Sequence, residues 1–213
     1  MSEPQFAYPM MLNLAGRRAL VVGGGKVALR KALALADAGA AVRAVSPEFL
    51  PEFLADARLE CIREPYAARH LAGMMLVVAA TDDEAVNASV AADARTAGVP
   101  VNVVDRPALC DFIVPSVVER GSLRIAVSTG GAAPSLARRL RERLEKEFGP
   151  HYATYLDVMG GVRRDLQARD LAPDVRRRLF ERLSDDDIIA AARAGPDACR
   201  RAIDAAIAAI LRG

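Results

Sequence analysis

Between Arg18 and Lys31 the chain reads RALVVGGGKVALRK: a short apolar run, three consecutive glycines, then an alanine-rich amphipathic stretch. Gly23, Gly25 and Ala28 stand in the G-x-G-x-x-A register of a dinucleotide-binding strand–turn–helix unit. In that register Gly23 permits a tight turn, Gly25 lets backbone approach a diphosphate, and Ala28 lets helix and strand pack closely. The diphosphate would face a helix N-terminus, where unpaired N–H groups and the helix dipole favour negative charge. The plainer alternative for Gly23-Gly24-Gly25 is a turn that needs only glycine dihedrals.

Ligands of open parallel sheets bind beyond the carboxyl ends of the strands, so the residues after each apolar run matter most. A carboxylate usually meets the ribose after the second strand; here Ser46-Pro47-Glu48 takes its place. Ribose contact can then come from Ser46, the local backbone or Glu48, while Glu48 suits equally well a first-turn helix carboxylate. No arginine follows that strand directly, and Arg43 lies within it, which favours NAD over NADP. Thr81-Asp82-Asp83 reads either as a helix N-cap or as a cofactor contact. Asp105 ends another apolar run and precedes Arg106-Pro107, where a catalytic acid or base would sit; an Asx-type turn is the alternative. Ser128-Thr129-Gly130-Gly131 forms a second hydroxyl- and glycine-rich turn able to offer N–H groups to a carboxylate. Behind it Arg138, Arg139, Arg141 and Arg143 alternate with Glu142 and Glu145, a solvated helix face from which one or two arginines can reach an anion.

The pattern that positions these residues is an alternation of strands and helices. Residues 27–38 and 83–97 read as helices, 48–57 as a shorter one, and 41–46, 59–63, 75–79 and 101–104 as strands. This predicts a parallel sheet covered by helices on both faces. Beyond Asp105 two strand-like runs, 112–118 and 123–127, flank a turn, and Pro134 opens a helix reaching about residue 148. The remainder reads as helices broken at Gly160-Gly161, Pro173, Ser184 and Gly195-Pro196, with an amphipathic stretch over residues 197–211. The expected organisation is a Rossmann-type α/β domain (1–113), a small mixed dimerisation segment (114–148) and an all-helical C-terminal domain (149–213).

Composition narrows the class. An apolar fraction of 52% with 26% charged residues is that of a globular protein with a full core. A net charge of +2 makes no case for nucleic acid. No apolar run has the length of a membrane span, and MSEPQFAYPM lacks the charged and apolar regions of a leader, so the cytoplasm is the expected location. Cys61, Cys110 and Cys199 are far apart and read as buried thiols, and two histidines cannot build a His-rich metal site.

Four segments, YPMMLNLAGRRALVVGGGKVALRKA, VVAATDDEAVN, VNVVDRPALCDFIVPS and RIAVSTGGAAPSLARRLRERLE, occur in one order over residues 8–145. Together they resemble precorrin-2 dehydrogenase, the NAD-dependent module found alone or fused to a uroporphyrinogen methyltransferase in siroheme synthases. The resemblance implies a stand-alone homodimeric enzyme that oxidises precorrin-2 to sirohydrochlorin, without the methyltransferase domain. It implies Lys26 and Val27 as cofactor contacts after the glycines, Pro47 and Glu48 beside the ribose, and Asp105 as general base. Thr129 stands where many relatives carry a second serine. Precorrin-2 is a polycarboxylate, so Arg106, Arg120 and Arg138 are candidates to position it, with Ser128, Thr129 and Gly130. A bifunctional dehydrogenase–ferrochelatase is the alternative enzyme, and a non-catalytic NAD-sensing domain the alternative of another class.

Overall fold

A computed structural model of the chain describes residue 6 and residues 8–212. Residues 1–5 and 7, on which much of the leader reading rests, lie outside the described residues. The chain divides into two compact units, Met1–Val114 and Pro115–Gly213. Segments 114–148 and 149–213 thus fall almost wholly within the second unit.

In the first unit the apolar runs pair as a five-stranded parallel sheet in the order β3-β2-β1-β4-β5. The strands are β1 (Arg18–Val22), β2 (Ala41–Val45), β3 (Leu59–Ile62), β4 (Leu76–Ala79) and β5 (Val101–Val103). Between them run α1 (Lys26–Asp37), α2 (Pro51–Ala55) and α3 (Glu84–Ala97). Successive residues of a strand point to opposite faces, and both faces are covered. Leu20 and Val22 of β1 join Val77, Val90 and Ala94 on one side, whereas Ala19 and Val21 join Ala28, Ala32 and Phe53 on the other. This is the Rossmann-type α/β fold that the alternation predicted.

The short α2 starts later than expected. Residues 47–50 remain a loop and Pro51 supplies the first helical turn, where its missing N–H costs nothing. Phe53 of α2 is fully buried and meets Phe49 edge-on at 5.0 Å between ring centroids, which anchors that loop to the core. A second difference lies at residues 112–115, which do not join a strand. The Phe112 carbonyl is taken by Asn102 Nδ2 at 2.9 Å, and Pro115 has no N–H for a ladder.

In the second unit β6 (Ser116–Arg120) and β7 (Leu123–Val127) form an antiparallel pair against which α4 (Pro134–Glu147) packs. Among the described residues the α-helices that follow are α5 (His151–Gln167), α6 (Pro173–Leu183), α7 (Asp186–Ala191) and α8 (Pro196–Arg212). Their core includes Tyr155, Val162, Leu166, Leu179, Leu183 and Ile203, and the Tyr155 hydroxyl donates to the Leu183 carbonyl at 2.9 Å. The expected break at Gly160-Gly161 is absent, because α5 runs through both glycines. Each glycine costs about 1 kcal/mol relative to alanine, less than the burial of Tyr155, Val162 and Leu166 on the same helix returns. Among the described residues no helix is long and apolar enough to cross a membrane.

Because Phe53 fastens the loop over the glycine turn, Phe53→Ala is expected to destabilise the first unit by about 3–5 kcal/mol. Urea unfolding followed by circular dichroism measures this as a lower midpoint.

Candidate active site

The glycine turn is built at a place where three strands end together. Gly23 N donates to Val45 O of β2 at 2.9 Å, and Ala80 N, just beyond β4, donates to Val22 O at 2.8 Å. Gly23 has φ +126°, and a side chain there would run into the Ala80 carbonyl. At Gly24 the space for a Cβ is filled by the Glu48 carbonyl oxygen and by Ser46 Oγ, and Gly24 O accepts from Leu50 N at 3.0 Å. The two glycines therefore serve the protein's own packing.

Gly25 differs. It has an ordinary φ of −86°, and a Cβ there would meet nothing within 4 Å. It is the N-cap of α1 and supplies no side-chain cap. The first backbone bond into the helix is Leu29 N to Gly25 O at 3.0 Å, so the N–H groups of Lys26, Val27 and Ala28 find no protein acceptor among the described residues. Open space over uncapped N–H groups is the cradle a diphosphate requires. The fully buried Ala28 brings the helix close to the sheet beneath it. Lys26 and Val27 are exposed beside this cradle.

On the ribose side Ser46 is half-buried and its N–H donates to Ile62 O at 3.2 Å. Pro47 and Glu48 are exposed. Because α2 begins at Pro51, Glu48 precedes the helix, and the first-turn acid is Glu52. Arg43 is committed to Glu60 at 3.0 Å.

On the opposite side Asp83 caps α3, its Oδ1 accepting from Ala85 N at 2.8 Å and Val86 N at 3.2 Å. Thr81 is held by the buried Asn87, whose Nδ2 donates to Thr81 O at 2.9 Å. Sequence reasoning passed over Asn87, which lies one turn into a helix and gave no separate signal. Asp82 is exposed next to this clamp.

Asp105 lies in a turn closed by Arg106 N to Val103 O at 3.2 Å. With φ +58° it is the one non-glycine among the described residues with a positive φ, a conformation that aspartate tolerates better than most residues. No Asx-type bond forms; its exposed carboxylate has no partner among the described residues. The buried Cys110 braces the turn from below, its Sγ 3.1 Å from both Val103 N and Val103 O. Burial pushes the Cys110 thiol up, against the pull of its Val103 bond. Arg106 pairs with Glu84 at the start of α3. Lys31, one turn beyond Val27 on α1, is half-buried within electrostatic reach of Asp105 and Cys110. A lysine on an amphipathic helix carries no signal of this in the sequence.

The remaining candidates belong to the second unit. Ser128 Oγ accepts from Gly130 N and Thr129 Oγ1 from Ala133 N, both at 3.1 Å, which shapes the turn before α4. Arg138 Nε donates to Glu142 at 2.9 Å. Arg120 donates to the carbonyls of Phe148 at 2.8 Å, Glu145 at 3.0 Å and Glu119 at 2.7 Å, so it caps the C-terminal end of α4. The structure thus gathers the glycine turn, Ser46-Pro47-Glu48, Thr81-Asp82 and Asp105 at one edge of one sheet, and carries Arg120, Ser128, Thr129, Gly130 and Arg138 on the other unit.

Fold and crevice define a Rossmann-type protein that binds a nicotinamide dinucleotide. The chain belongs to the putative NAD(P)-binding family, whose model matches residues 10–116. Residues 120–147 match a second model, that of the sirohaem biosynthesis protein central region. Among curated relatives, the siroheme synthase of Pseudomonas fluorescens (strain Pf0-1) is 50% identical over 173 residues, 80% of this chain and 37% of that protein. The siroheme synthase of Azotobacter vinelandii (strain DJ / ATCC BAA-1303) is 47% identical, again covering 80% of this chain and 37% of that protein. The chain thus spans little more than a third of the length of these relatives. Among solved structures, SirC, precorrin-2 dehydrogenase, superposes with a TM-score of 0.74 at 26% identity, covering 97% of this chain and 100% of that one.

Since Gly25 alone of the three glycines faces open space, Gly25→Ala is expected to leave stability within about 1 kcal/mol and to weaken NAD+ binding roughly tenfold or more. Thermal unfolding and NAD+ titration of the same variant separate the two effects.

Proposed function

We propose that this chain oxidises precorrin-2 to sirohydrochlorin with NAD+, with Asp105 as general base. The observation that carries the reading is the unpartnered Asp105 carboxylate, held by a left-handed turn at the edge of the dinucleotide crevice. Resemblance to a precorrin-2 dehydrogenase along almost the whole chain supports it. So does similarity to siroheme synthases.

Bound NAD+ supplies the hydride acceptor. The N–H groups of Lys26 and Val27 would hold its diphosphate beside Gly25, and Ser46 with the backbone around Pro47 and Glu48 would meet the ribose. Thr81 and Asp82 border the same crevice from the β4 side. Desaturation removes a hydride and a proton from the substrate; the Asp105 carboxylate takes the proton and passes it to solvent, to which it is open. Arg106 in the first unit and, separately, the turn Ser128-Thr129-Gly130 with Arg138 in the second each offer donors suited to substrate carboxylates.

A homodimer belongs to the same proposal. Among the described residues the β6–β7 pair is a sheet of two strands, each with an edge that pairs with no further strand. Tyr8, Met10, Met11 and Leu12 are exposed in succession, apolar surface of the kind a partner subunit covers. A cytoplasmic location fits three unpaired thiols.

Anaerobic incubation of the purified chain with precorrin-2 and NAD+ should yield sirohydrochlorin and NADH, both read by absorbance. Asp105→Asn should retain NAD+ binding and lose about a hundredfold or more in kcat. Intact NAD+ binding without turnover by the wild type would favour a sensor domain, and a near-wild-type rate for Asp105→Asn would remove Asp105 as the base.

A further inference from the structure

Strand β5 ends the sheet, and the backbone groups of Val101 and Val103 that face away from β4 meet no further strand among the described residues. Bare edge groups of this kind need partners. The chain supplies them itself on its return past Asp105. Asp111 takes both outward groups of Val101, its Oδ2 accepting from Val101 N at 3.0 Å and its N–H donating to Val101 O at 2.8 Å. The buried Asn102 donates to the Phe112 carbonyl at 2.9 Å and so fastens the end of the returning segment. Val103 is left to Cys110. The thiol accepts from Val103 N at 3.1 Å, and its single proton has two carbonyls to choose from, Val103 at 3.1 Å and Arg106 at 3.4 Å.

Val103 and Arg106 are the two ends of the turn that carries Asp105. The exposed Asp105 carboxylate makes no bond among the described residues, so the backbone of this turn alone places it. That backbone is left-handed at Asp105, with φ +58°, a conformation that persists in a non-glycine residue only where its surroundings over-determine it. We propose that Cys110 is a positioning residue for Asp105, its sulfur pinning both ends of the turn so that the carboxylate stays at the crevice edge to receive the substrate's proton. The inference rests on Asp105 as the base. Cys110 is buried beneath the turn, so it acts on the reaction only through that turn. An apolar residue there would fill the core equally well but leave Val103 N–H without an acceptor.

The test uses the full chain with Cys110→Ala, Cys110→Ser, Asp105→Asn and the Cys110→Ala/Asp105→Asn double variant. Cys110→Ala should keep NAD+ affinity within about twofold while kcat for precorrin-2 falls roughly tenfold with KM little changed. Serine restores a donor and an acceptor on a shorter bond, so Cys110→Ser should recover most of that loss and stay about threefold below wild type. In the Asp105→Asn background Cys110→Ala should lower the residual kcat no further, because the sulfur acts through a carboxylate no longer present. A merely structural cysteine would instead cost the same factor in both backgrounds, and that result overturns the proposal, as does wild-type kcat in Cys110→Ala. Should Cys110→Ala fail to fold, Cys110→Ser is compared in the same two backgrounds, and an equal loss in both, or none in either, overturns it. Wild-type turnover by Asp105→Asn would defeat the base assignment and this inference with it. A crippled Asp105→Asn beside a fully active Cys110→Ala defeats this inference alone.

Discussion

Val22 stands opposite Val45 on one side and Ala79 on the other, Val45 opposite Ile62 and Ala79 opposite Val103, so all five strands of the parallel sheet end level. The crevice depends on this register. Only with the strand ends aligned can Gly23 N reach Val45 O while Ala80 N reaches Val22 O. A slip of one residue would also exchange the two buried faces of a strand such as β1, where Leu20 and Val22 pack on one side and Ala19 and Val21 on the other. Apolar packing on both faces therefore fixes, at a distance, where each crevice residue stands.

The level edge also sorts polar groups into those the protein satisfies and those it leaves open. Gly24 O, Thr81 O and the N–H groups of Ala85, Val86 and Asn87 in α3 have protein partners. The first N–H groups of α1 and the Asp105 carboxylate have none among the described residues. Exposed as Gly25, Lys26, Val27 and Asp105 are, these groups can turn to water until a ligand replaces it, whereas the left-handed non-glycine residue carries about 1–3 kcal/mol of strain. That strain falls within the part of the first unit where a ligand would offset it. Stability elsewhere in that unit, such as the fully buried Phe53 and Val90, supports the expense.

Much of this was readable in the sequence because the signals were local. The β–α alternation, the glycine turn, the Asp83 cap region and the strand-end position of Asp105 each occupy a few consecutive residues. What escaped depended on distant contacts. Glu48 looked like a first-turn acid, but its carbonyl seats against Gly24 and the helix waits for Pro51. Gly160-Gly161 looked like a break, but burial around them carries α5 through.

The arginines expected to meet an anionic substrate differ in how freely they can do so. Arg138 is three-quarters exposed, and its pair with Glu142 is an i,i+4 contact on a helix surface. Such pairs contribute about 0.3–0.5 kcal/mol, so a substrate carboxylate can displace Glu142 at almost no cost. Arg120 is another matter. Its guanidinium satisfies carbonyls of Glu145 and Phe148 at the end of α4 and of Glu119 on its own strand. Turning it toward a ligand would strip those carbonyls of their donors and loosen the join between α4 and the hairpin. Charge alone would rank the two arginines equally; the bonds each must give up make Arg138 the recruitable one and Arg120 a structural cap.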